Sequence, residues 1–193
     1  MVNNQAYFEY LKKRSLVGRF YRHFFLYPRI SSLLKGRVLD VGCGIGDMLE
    51  YRPGSVGVDV NEFNIEFCRR RGLAAQLMPF DQLPFDTASF DSLLLDNVLE
   101  HILDPAPLLN EIKRVMHPDG FLVIGVPGLY GQLCDSDHKV YYNEDSLAEL
   151  ADRLGFTIEE FLYAPFIRST FLSQTISQYC IYSRWTLKPQ DKH

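Results

Sequence analysis

The sequence has little of what marks a secreted, zinc-binding or membrane-spanning protein. Its four cysteines form no Cys-x-x-Cys pair and have no histidine at metal-ligand spacing, which argues against a disulfide framework and a zinc site. No run of eighteen apolar residues occurs, and the N-terminus lacks the apolar core of a signal peptide. We therefore expect a cytoplasmic protein with no membrane span.

Acidic residues are nearly absent from the first 37 positions, where Glu9 stands alone against eight basic residues. This segment has a net charge of +7, although the whole chain, with 20 basic and 24 acidic residues, has a net charge of −4. Two interpretations remain open: a solvated helical face, or a basic arm that meets an anionic partner. The basic residues are Lys12, Lys13, Arg14, Arg19, Arg22, Arg29, Lys35 and Arg37.

Short apolar runs alternate with helix-like stretches along the chain, a pattern typical of an α/β fold with a doubly wound sheet. With 193 residues, 47% of them apolar, the chain suits one domain with a buried core. We predict a mostly parallel, seven-stranded sheet with helices on both faces and an N-terminal helical cap. The predicted strands are 37–41, 55–60, 74–78, 90–95, 121–126, 156–163 and 177–185, and the predicted helices are 5–13, 16–34, 46–51, 62–71, 105–117 and 143–154.

A glycine-rich loop follows the first predicted strand, in the run 40–47 with the sequence DVGCGIGD. Glycines at such a turn let the backbone approach a ligand closely. Dinucleotide-binding loops have the pattern G-x-G-x-x-G. Here the third glycine, Gly46, arrives one residue early, and Asp47 takes the place of the glycine. Because Asp40 and Asp47 flank the loop with carboxylates, it suits a ligand with an amine better than a pyrophosphate.

Asp59 ends the second predicted strand, 17 residues after Gly42. An acid at that position commonly accepts hydrogen bonds from both ribose hydroxyls of a nucleoside cofactor. The loop, the strand and the acid together predict a nucleoside-containing cofactor, and Asp59 alone does not distinguish one such cofactor from another.

The chain resembles class I, Rossmann-like S-adenosylmethionine (SAM)-dependent methyltransferases, especially the broad group that contains the ubiquinone- and menaquinone-pathway methyltransferases. The resemblance covers about residues 37–127, with its motifs in the family's order. They are VLDVGCGIG at 38–46, VGVDVN at 56–61, FDQLPFDTASFDSLLLDNVLEHI at 80–102 and EIKRVMHPDGFLVIGVP at 111–127.

The resemblance implies SAM as the cofactor, S-adenosylhomocysteine as its product, and a role for each matching residue. Gly42, Gly44 and Gly46 would pass under the methionine part of SAM, Asp40 would hold its amine, and Asp59 its ribose hydroxyls. Val60 and Asn61 would flank the adenine ring, Asp81 would accept from the adenine amino group, and Asp96 and Asn97 would lie at the methionine end.

One departure from the quinone-pathway relatives concerns a metal. Some of them hold a divalent ion with a Glu-x-x-Glu-His run, and here Asn97 stands in the first acidic place before Glu100 and His101. We therefore expect no metal.

The resemblance also implies one domain over residues 1–193, with a helical cap at 1–36, a cofactor-binding core at 37–127 and an acceptor side at 128–193. Pro28 is a candidate break in the second helix of the cap. Asn143 is a predicted N-cap for a late helix, without a capping box because Ser146 stands three residues later.

Methyl transfer is an in-line displacement that depends chiefly on positioning the acceptor atom. A base is needed only for an acceptor that must lose a proton. His138, beside the acids Asp135 and Asp137 in a loop after the fifth strand, is the first candidate for that base and His101 the second. The alternatives are that His138 is a surface loop histidine and that His101 is a packed helix residue.

The predicted reaction transfers a methyl group from SAM to a small molecule, a sugar nucleotide or a lipid-linked acceptor, either anionic or aromatic. Two other functions stay open: a non-catalytic SAM-binding or partner-binding module, and an NAD-dependent oxidoreductase. A nucleic-acid substrate is not expected, because the chain is acidic, has one tryptophan and lacks the Asn-Pro-Pro-Tyr and Asp-Pro-Pro-Tyr motifs that hold a flipped base.

Overall fold

The computed structural model of the chain describes residues 4–13 and 15–189. Its helices are α1 (Asn4–Lys12), α2 (Leu16–Tyr21), α3 (Tyr27–Leu33), α4 (Asp47–Tyr51), α5 (Glu62–Arg70), α6 (Ala106–Val115), α7 (Leu129–Cys134), α8 (Glu144–Arg153) and α9 (Thr170–Thr175). A π-helical turn, Arg22–Leu26, joins α2 to α3, and a 3-10 turn covers Leu99–His101. The strands are β1 (Val38–Val41), β2 (Val56–Asp59), β3 (Ala75–Leu77), β4 (Phe90–Asp96), β5 (Met116–Pro127), β6 (Phe156–Ala164) and β7 (Cys180–Leu187).

The strands form one seven-stranded sheet in the order β3-β2-β1-β4-β5-β7-β6. The first five strands in the chain run parallel, and β7 runs antiparallel to both β5 and β6. The predicted mostly parallel, seven-stranded sheet is thereby confirmed. The strand order reverses between β1 and β4, and in such sheets ligands bind at the carboxyl ends of the strands beside that reversal.

Helices cover both faces of the sheet. Neighbouring side chains of a strand point to opposite faces, and on the central strands both sets are apolar and need to be buried. On β1, Leu39 and Val41 belong to the larger hydrophobic cluster, which α6 and α8 complete. Val38 points the other way, into a second cluster that contains Leu26, Ile30 and Leu33 of the N-terminal segment. The central strands are therefore apolar on both sides, which explains their continuous hydrophobic runs.

The N-terminal helices divide between the sheet and the edge where β2 ends. The segment predicted as one helix over 16–34 is α2, the π-helical turn and α3. Pro28 does not break it but occupies the first turn of α3, where a missing N–H is tolerated. This part covers a face of the sheet. By contrast, α1 leans on α5, with the Phe8 ring against the rings of Phe63 and Phe67.

Two local predictions were wrong. The helix predicted over 105–117 ends at Val115, and β5 begins at once with Met116, which pairs with Phe90 before a shift in register. The Asn143 N-cap does have a capping box, because the Ser146 hydroxyl accepts from the Asn143 N–H while the Asn143 side chain accepts from the Ser146 N–H. A serine hydroxyl thus does what glutamate usually does in this motif.

None of the helices in the described ranges is both long and apolar enough to cross a membrane.

Candidate functional site

A cavity of about 280 Å³ opens at the carboxyl ends of β1, β2 and β4, with α1 along one wall. The segments that line it come from seven separate stretches of the sequence between Asn4 and Asp137, and the fold brings them together. Nine residues singled out from the sequence line this cavity: Asp40, Gly42, Gly44, Asp59, Val60, Asn61, Asp96, Asn97 and His101.

Three others do not line it. Gly46 caps α4, and a Cβ there would meet the Cys68 sulfur at 2.8 Å, so this glycine allows close packing against α5. Asp81 is exposed next to Phe80, which does line the cavity. His138 lies behind the cavity wall with a side chain that is 10% exposed. The cofactor and catalytic roles of these residues stay predictions.

The carboxylate of Asp59 holds the glycine loop and the start of α5 together. One oxygen accepts from the Gly44 N–H at 2.8 Å and from the Asn64 amide at 3.3 Å, and the other accepts from the Asn61 N–H at 2.7 Å. A carboxylate has about four acceptor positions. Asp59 therefore keeps capacity for one more donor, although most of its hydrogen bonding shapes the loop.

Asn61 fixes α1 to this edge. Its side-chain oxygen caps α5 by accepting from the Phe63 N–H, and its amide donates to the Asn4 carbonyl at 2.8 Å. The contact places Tyr7 and Leu11 of α1 in the cavity wall.

The electrostatics of the cavity come from two buried carboxylates, two half-buried carboxylates and one half-buried cation. Asp40, Asp47, Asp59 and Asp96 all line it, and Arg22 is the only lysine or arginine in the lining that the described chain provides. Burial first, then the Asp96 and Asp59 carboxylates, raise the pKa of Asp40 well above its ordinary value. The cavity therefore favours a ligand that brings positive charge.

Arg22 stays charged in this environment. Burial alone would lower its pKa, but Tyr27, through a hydrogen bond and its charge, and the Asp96 carboxylate raise the pKa above its ordinary value. Arg22 is thus a fixed positive group at the acidic end of the cavity.

The end of β4 is held in an unusual conformation. Asn97 has φ +54, a left-handed value that asparagine tolerates better than most residues. Its N–H donates to the Gly125 carbonyl, and its side-chain amide donates to Asp96 at 2.8 Å. The Tyr182 hydroxyl donates to the same Asp96 oxygen at 2.8 Å. These bonds fix the direction in which the Asp96 carboxylate enters the cavity.

Glu100, His101 and His138 form a cluster at the acceptor side. The Glu100 carboxylate is fully buried and neither oxygen has a hydrogen-bond partner among the described residues. His138 Nε2 is 3.7 Å from Glu100 Oε1, and the two imidazole rings are 4.7 Å apart. One potential metal ligand atom from each residue lies within 4.8 Å of the others. The expected absence of a metal stays a prediction.

The two histidines differ in their access to the cavity. His101 lines it, and its Nδ1 lies 3.3 Å from the Asp137 carbonyl oxygen. Burial first, then the neighbouring His138, lower the pKa of His101, so its imidazole is neutral at physiological pH. A neutral imidazole can accept a proton. The geometry therefore favours His101 over His138 as the group that could meet an acceptor.

Burial raises the pKa of Glu100 to about 8, and this predicts a pH-dependent stability. In the folded protein the carboxyl keeps its proton up to that pH, whereas the unfolded chain loses it near pH 4.5. Unfolding therefore releases a proton in this window, and the contribution of Glu100 to stability falls as the pH rises from about 4.5 to 8. We expect Glu100→Gln to gain on the order of 3 kcal/mol over the wild type between pH 5.5 and 8.5.

Urea unfolding at several pH values measures this effect. Glu149→Gln, at an exposed position on α8, is the matched control and should follow the wild type throughout. Parallel pH profiles for wild type and Glu100→Gln would contradict the buried, protonated carboxyl.

Sequence reasoning missed Arg22, Tyr7 and Phe80 as lining residues of the cavity. Arg22 was counted among the basic residues of the N-terminal segment, and its burial depends on the packing of the π-helical turn against β7, which no local pattern reports. Two apolar residues of the lining are unusually exposed, Phe80 at 53% and Val60 at 47%. For Phe80 the one signal in the sequence was an aromatic residue directly before Asp81.

The comparisons with known proteins agree with this geometry. Residues 39–124 match the family described as a methyltransferase domain, which is less than half of the chain. A Mycolicibacterium smegmatis protein described as a probable SAM-dependent methyltransferase is 29% identical over 156 residues, which cover 74% of this chain and 61% of that protein. The chain spans between 29% and 61% of the length of the curated relatives it matches.

Two solved structures have the same fold. A Thermotoga maritima SAM-dependent methyltransferase, described as a possible histamine N-methyltransferase, superposes with a TM-score of 0.76 at 20% identity, covering 97% of this chain and 100% of that one. A chain from the complex of the Haloferax volcanii Trm112 methyltransferase activator superposes with a TM-score of 0.69 at 17% identity, covering 88% and 93%. The resemblance to class I, Rossmann-like methyltransferases is confirmed, and the cofactor these matches imply is SAM.

Proposed function

We propose that this chain, which has the class I fold and the matching domain of SAM-dependent methyltransferases, transfers a methyl group from SAM to a small-molecule, sugar-nucleotide or lipid-linked acceptor. The observation that carries the proposal is the acidic cavity at the ends of β1, β2 and β4, which both the glycine loop and Arg22 line.

The charges of the cavity suit SAM. The cofactor carries an amine, a sulfonium and one carboxylate, and no phosphate. Buried Asp40 and half-buried Asp96 complement positive charge, and Arg22 complements a carboxylate. A pyrophosphate would instead meet several carboxylates, which argues against NAD as the ligand.

Each end of the cavity suits one part of the cofactor. Asp59 would accept a ribose hydroxyl with its remaining acceptor position, and the exposed apolar side chains of Val60 and Phe80 would flank the adenine ring. The Gly42–Gly44 backbone would lie along the methionine part. In this arrangement α1 acts as the cap over the cofactor, since it contributes Tyr7 and Leu11 to the wall.

Arg22 provides a specific prediction. We expect Arg22→Met to weaken S-adenosylhomocysteine binding about 10- to 100-fold, because a charge-assisted hydrogen bond contributes roughly 1.5–3 kcal/mol. Binding of methylthioadenosine, which lacks the amino acid carboxylate, should change little. Isothermal titration calorimetry measures both, and Arg19→Met, at an exposed position on α2, is the control. Equal losses for the two ligands would assign Arg22 a structural role instead.

SAM, when bound, supplies an activated methyl group, so the contribution of the chain is to bind, orient and exclude water. For an acceptor that must lose a proton, His101 Nε2 is the base we propose, since its ring borders the cavity and Nδ1 is oriented by Asp137. His138 would orient His101 from behind through their ring contact. Acceptors that need no deprotonation would use neither histidine.

We propose that residues 128–193 form the acceptor side. They would belong to one domain over residues 1–193 of a cytoplasmic protein. The basic segment supplies the argument for an anionic acceptor. Lys12 is already paired with Glu9 at 3.2 Å and Lys13 is exposed, whereas Arg14 lies outside the described residues. Exposed aromatic residues after β5, such as Tyr130 and Tyr141, suit an aromatic acceptor or the face of a sugar ring.

The first test is thermal stabilisation by SAM, S-adenosylhomocysteine and NAD. A ligand at about a hundred times its dissociation constant adds about 2.7 kcal/mol, which shifts the melting temperature by several degrees. We expect both SAM and S-adenosylhomocysteine to stabilise the protein and NAD to have no effect. Turnover of SAM is then measured over a panel of phenolic, sugar-nucleotide and lipid-linked acceptors. Stabilisation by NAD alone would refute the proposal.

The alternative is a methyltransferase-like module that binds SAM and acts through a partner protein. The structural similarity to a chain bound by Trm112 is the observation in its favour. SAM binding without turnover on any acceptor, together with stable capture of a partner, would support it.

A further inference from the structure

Helix α2 contributes little to the core, because Tyr21 is its only residue that packs against a hydrophobic cluster of the described chain. None of its six residues is buried, although three of them are large and apolar. Leu16 is 81% exposed, Val17 79% and Phe20 58%. Exposed apolar residues occur singly on most proteins, but a cluster of this kind marks an interaction site.

The exposed cluster continues into the π-helical turn. Phe24 and Phe25 are 58% and 54% exposed, and the rings of Phe20 and Phe24 are 4.5 Å apart. Leu16, Phe20 and Phe24 follow one another at four-residue spacing along the helical segment. With Val17 and Phe25 they form an exposed apolar stripe along this segment, whereas Leu26 and Ile30 are buried.

A second exposed segment lies beside the first. Phe166, Ile167 and Phe171 are each at least 66% exposed, and α9, like α2, has no buried residue. The Arg29 guanidinium, one turn beyond Phe25, donates to the carbonyls of Pro165 and Phe166. This bridge holds the two segments together. We call the combined surface, formed by Leu16, Val17, Phe20, Phe24, Phe25, Phe166, Ile167 and Phe171, the aromatic surface.

The charged residues next to the N-terminal part of the aromatic surface are all basic. The sequence has no acidic residue between Glu9 and Asp40. Lys13 and Arg19 are exposed, and neither has an ion-pair partner among the residues the structure describes. Exposed apolar side chains next to unpaired basic ones are complementary to the headgroup region of an anionic membrane, where each basic residue contributes on the order of 1 kcal/mol.

We propose that the aromatic surface docks on anionic lipid membranes, with the phenylalanines at the level of the acyl boundary and Lys13 and Arg19 against the headgroups. Exposed aromatic rings flanked by cations fit a lipid interface better than a protein groove, which would need donors and acceptors between the apolar groups. This inference goes beyond methyl transfer, since docking requires neither SAM nor an acceptor.

Vesicle flotation tests the proposal with the full chain. The probes are vesicles of phosphatidylcholine alone and of phosphatidylcholine with phosphatidylglycerol at a ratio of about 7 to 3. We expect the wild type to float with the anionic vesicles, and the bound fraction to fall as salt is raised. The variant Phe20→Ala/Phe24→Ala should weaken partitioning at least about tenfold. Leu103→Ala, which removes an apolar side chain that is 75% exposed elsewhere, should float like the wild type.

Other outcomes would overturn the proposal. The wild type could fail to bind either vesicle, or Leu103→Ala could lose as much binding as the aromatic variant. Sedimentation could also reveal a dimer that Phe20→Ala/Phe24→Ala abolishes, which would assign the surface to a second copy of the chain. Thermal stabilisation by S-adenosylhomocysteine is measured on each variant in parallel, so that a loss of docking is distinguished from a loss of the cofactor site.

Discussion

Asp59→Ala is expected to lower SAM affinity by at least about a hundredfold and to lower the melting temperature of the ligand-free protein as well. Both effects have one cause. The carboxylate satisfies the N–H groups of Gly44 and Asn61 and the amide of Asn64. Removing it leaves buried donors without an acceptor, at roughly 1–3 kcal/mol each. The glycine loop would lose its shape, and the ribose would lose an acceptor.

Calorimetric titration with SAM and thermal unfolding without it measure the two effects. Asp119→Ala is the matched control, because that side chain is 94% exposed in the turn before Phe121. It should change neither quantity. An Asp59→Ala protein that binds SAM normally would show that the loop keeps its conformation without this carboxylate, and it would remove Asp59 from the proposed site.

Gly44→Ala is expected to lower SAM affinity at least about thirtyfold while leaving the fold intact. Gly44 has φ +53, and a Cβ there would lie 3.4 Å from Leu11 Cδ1, in ordinary contact. The left-handed backbone makes alanine cost about 1–2 kcal/mol. The added methyl group lies between the loop and α1, where we place the methionine part of SAM, so it competes with the ligand for space.

Gly72→Ala is the control that separates the effect of backbone strain from the effect of a methyl group in the SAM site. Gly72 has φ +73, and a Cβ there would meet nothing within 4 Å. Both variants should lose similar stability in urea unfolding, and only Gly44→Ala should lose SAM binding. If the two bind SAM equally well, the cofactor does not pass along Gly44.

The sequence predicts the elements whose signals are local. Strand β1, the glycine loop and Asp59 are readable because an apolar run, a turn and a polar end follow one another within about twenty residues. The capping box at Asn143 was missed because the usual residue at the third helical position is glutamate. Here the Ser146 hydroxyl accepts from the Asn143 N–H instead. The start of β5 was missed because Met116 pairs with Phe90 before the register shift that ends at Phe121, and only tertiary pairing shows this.

The site is less predictable than the fold, because its groups meet from distant parts of the chain. Asp40 and Asp59 could be assigned to a cofactor from their places at strand ends. Arg22 could not, since its charge looks like that of any exposed arginine until the π-helical turn buries it. The choice between His101 and His138 likewise depends on which ring faces the cavity, and 36 intervening residues separate them.

The position of β7 determines the order in which the sheet can assemble. In the described chain β6 pairs with β7 alone, and β7 lies between β6 and β5 although it follows both in sequence. The five parallel strands can therefore form while residues 156–187 are still unpaired. The antiparallel β6–β7 pair closes over a shorter loop than the β5–β7 pairing, so it costs less chain entropy to form first. Docking of that hairpin onto β5 would then be the final step of folding, and it is the step that brings the Tyr182 hydroxyl to Asp96 and completes the cavity.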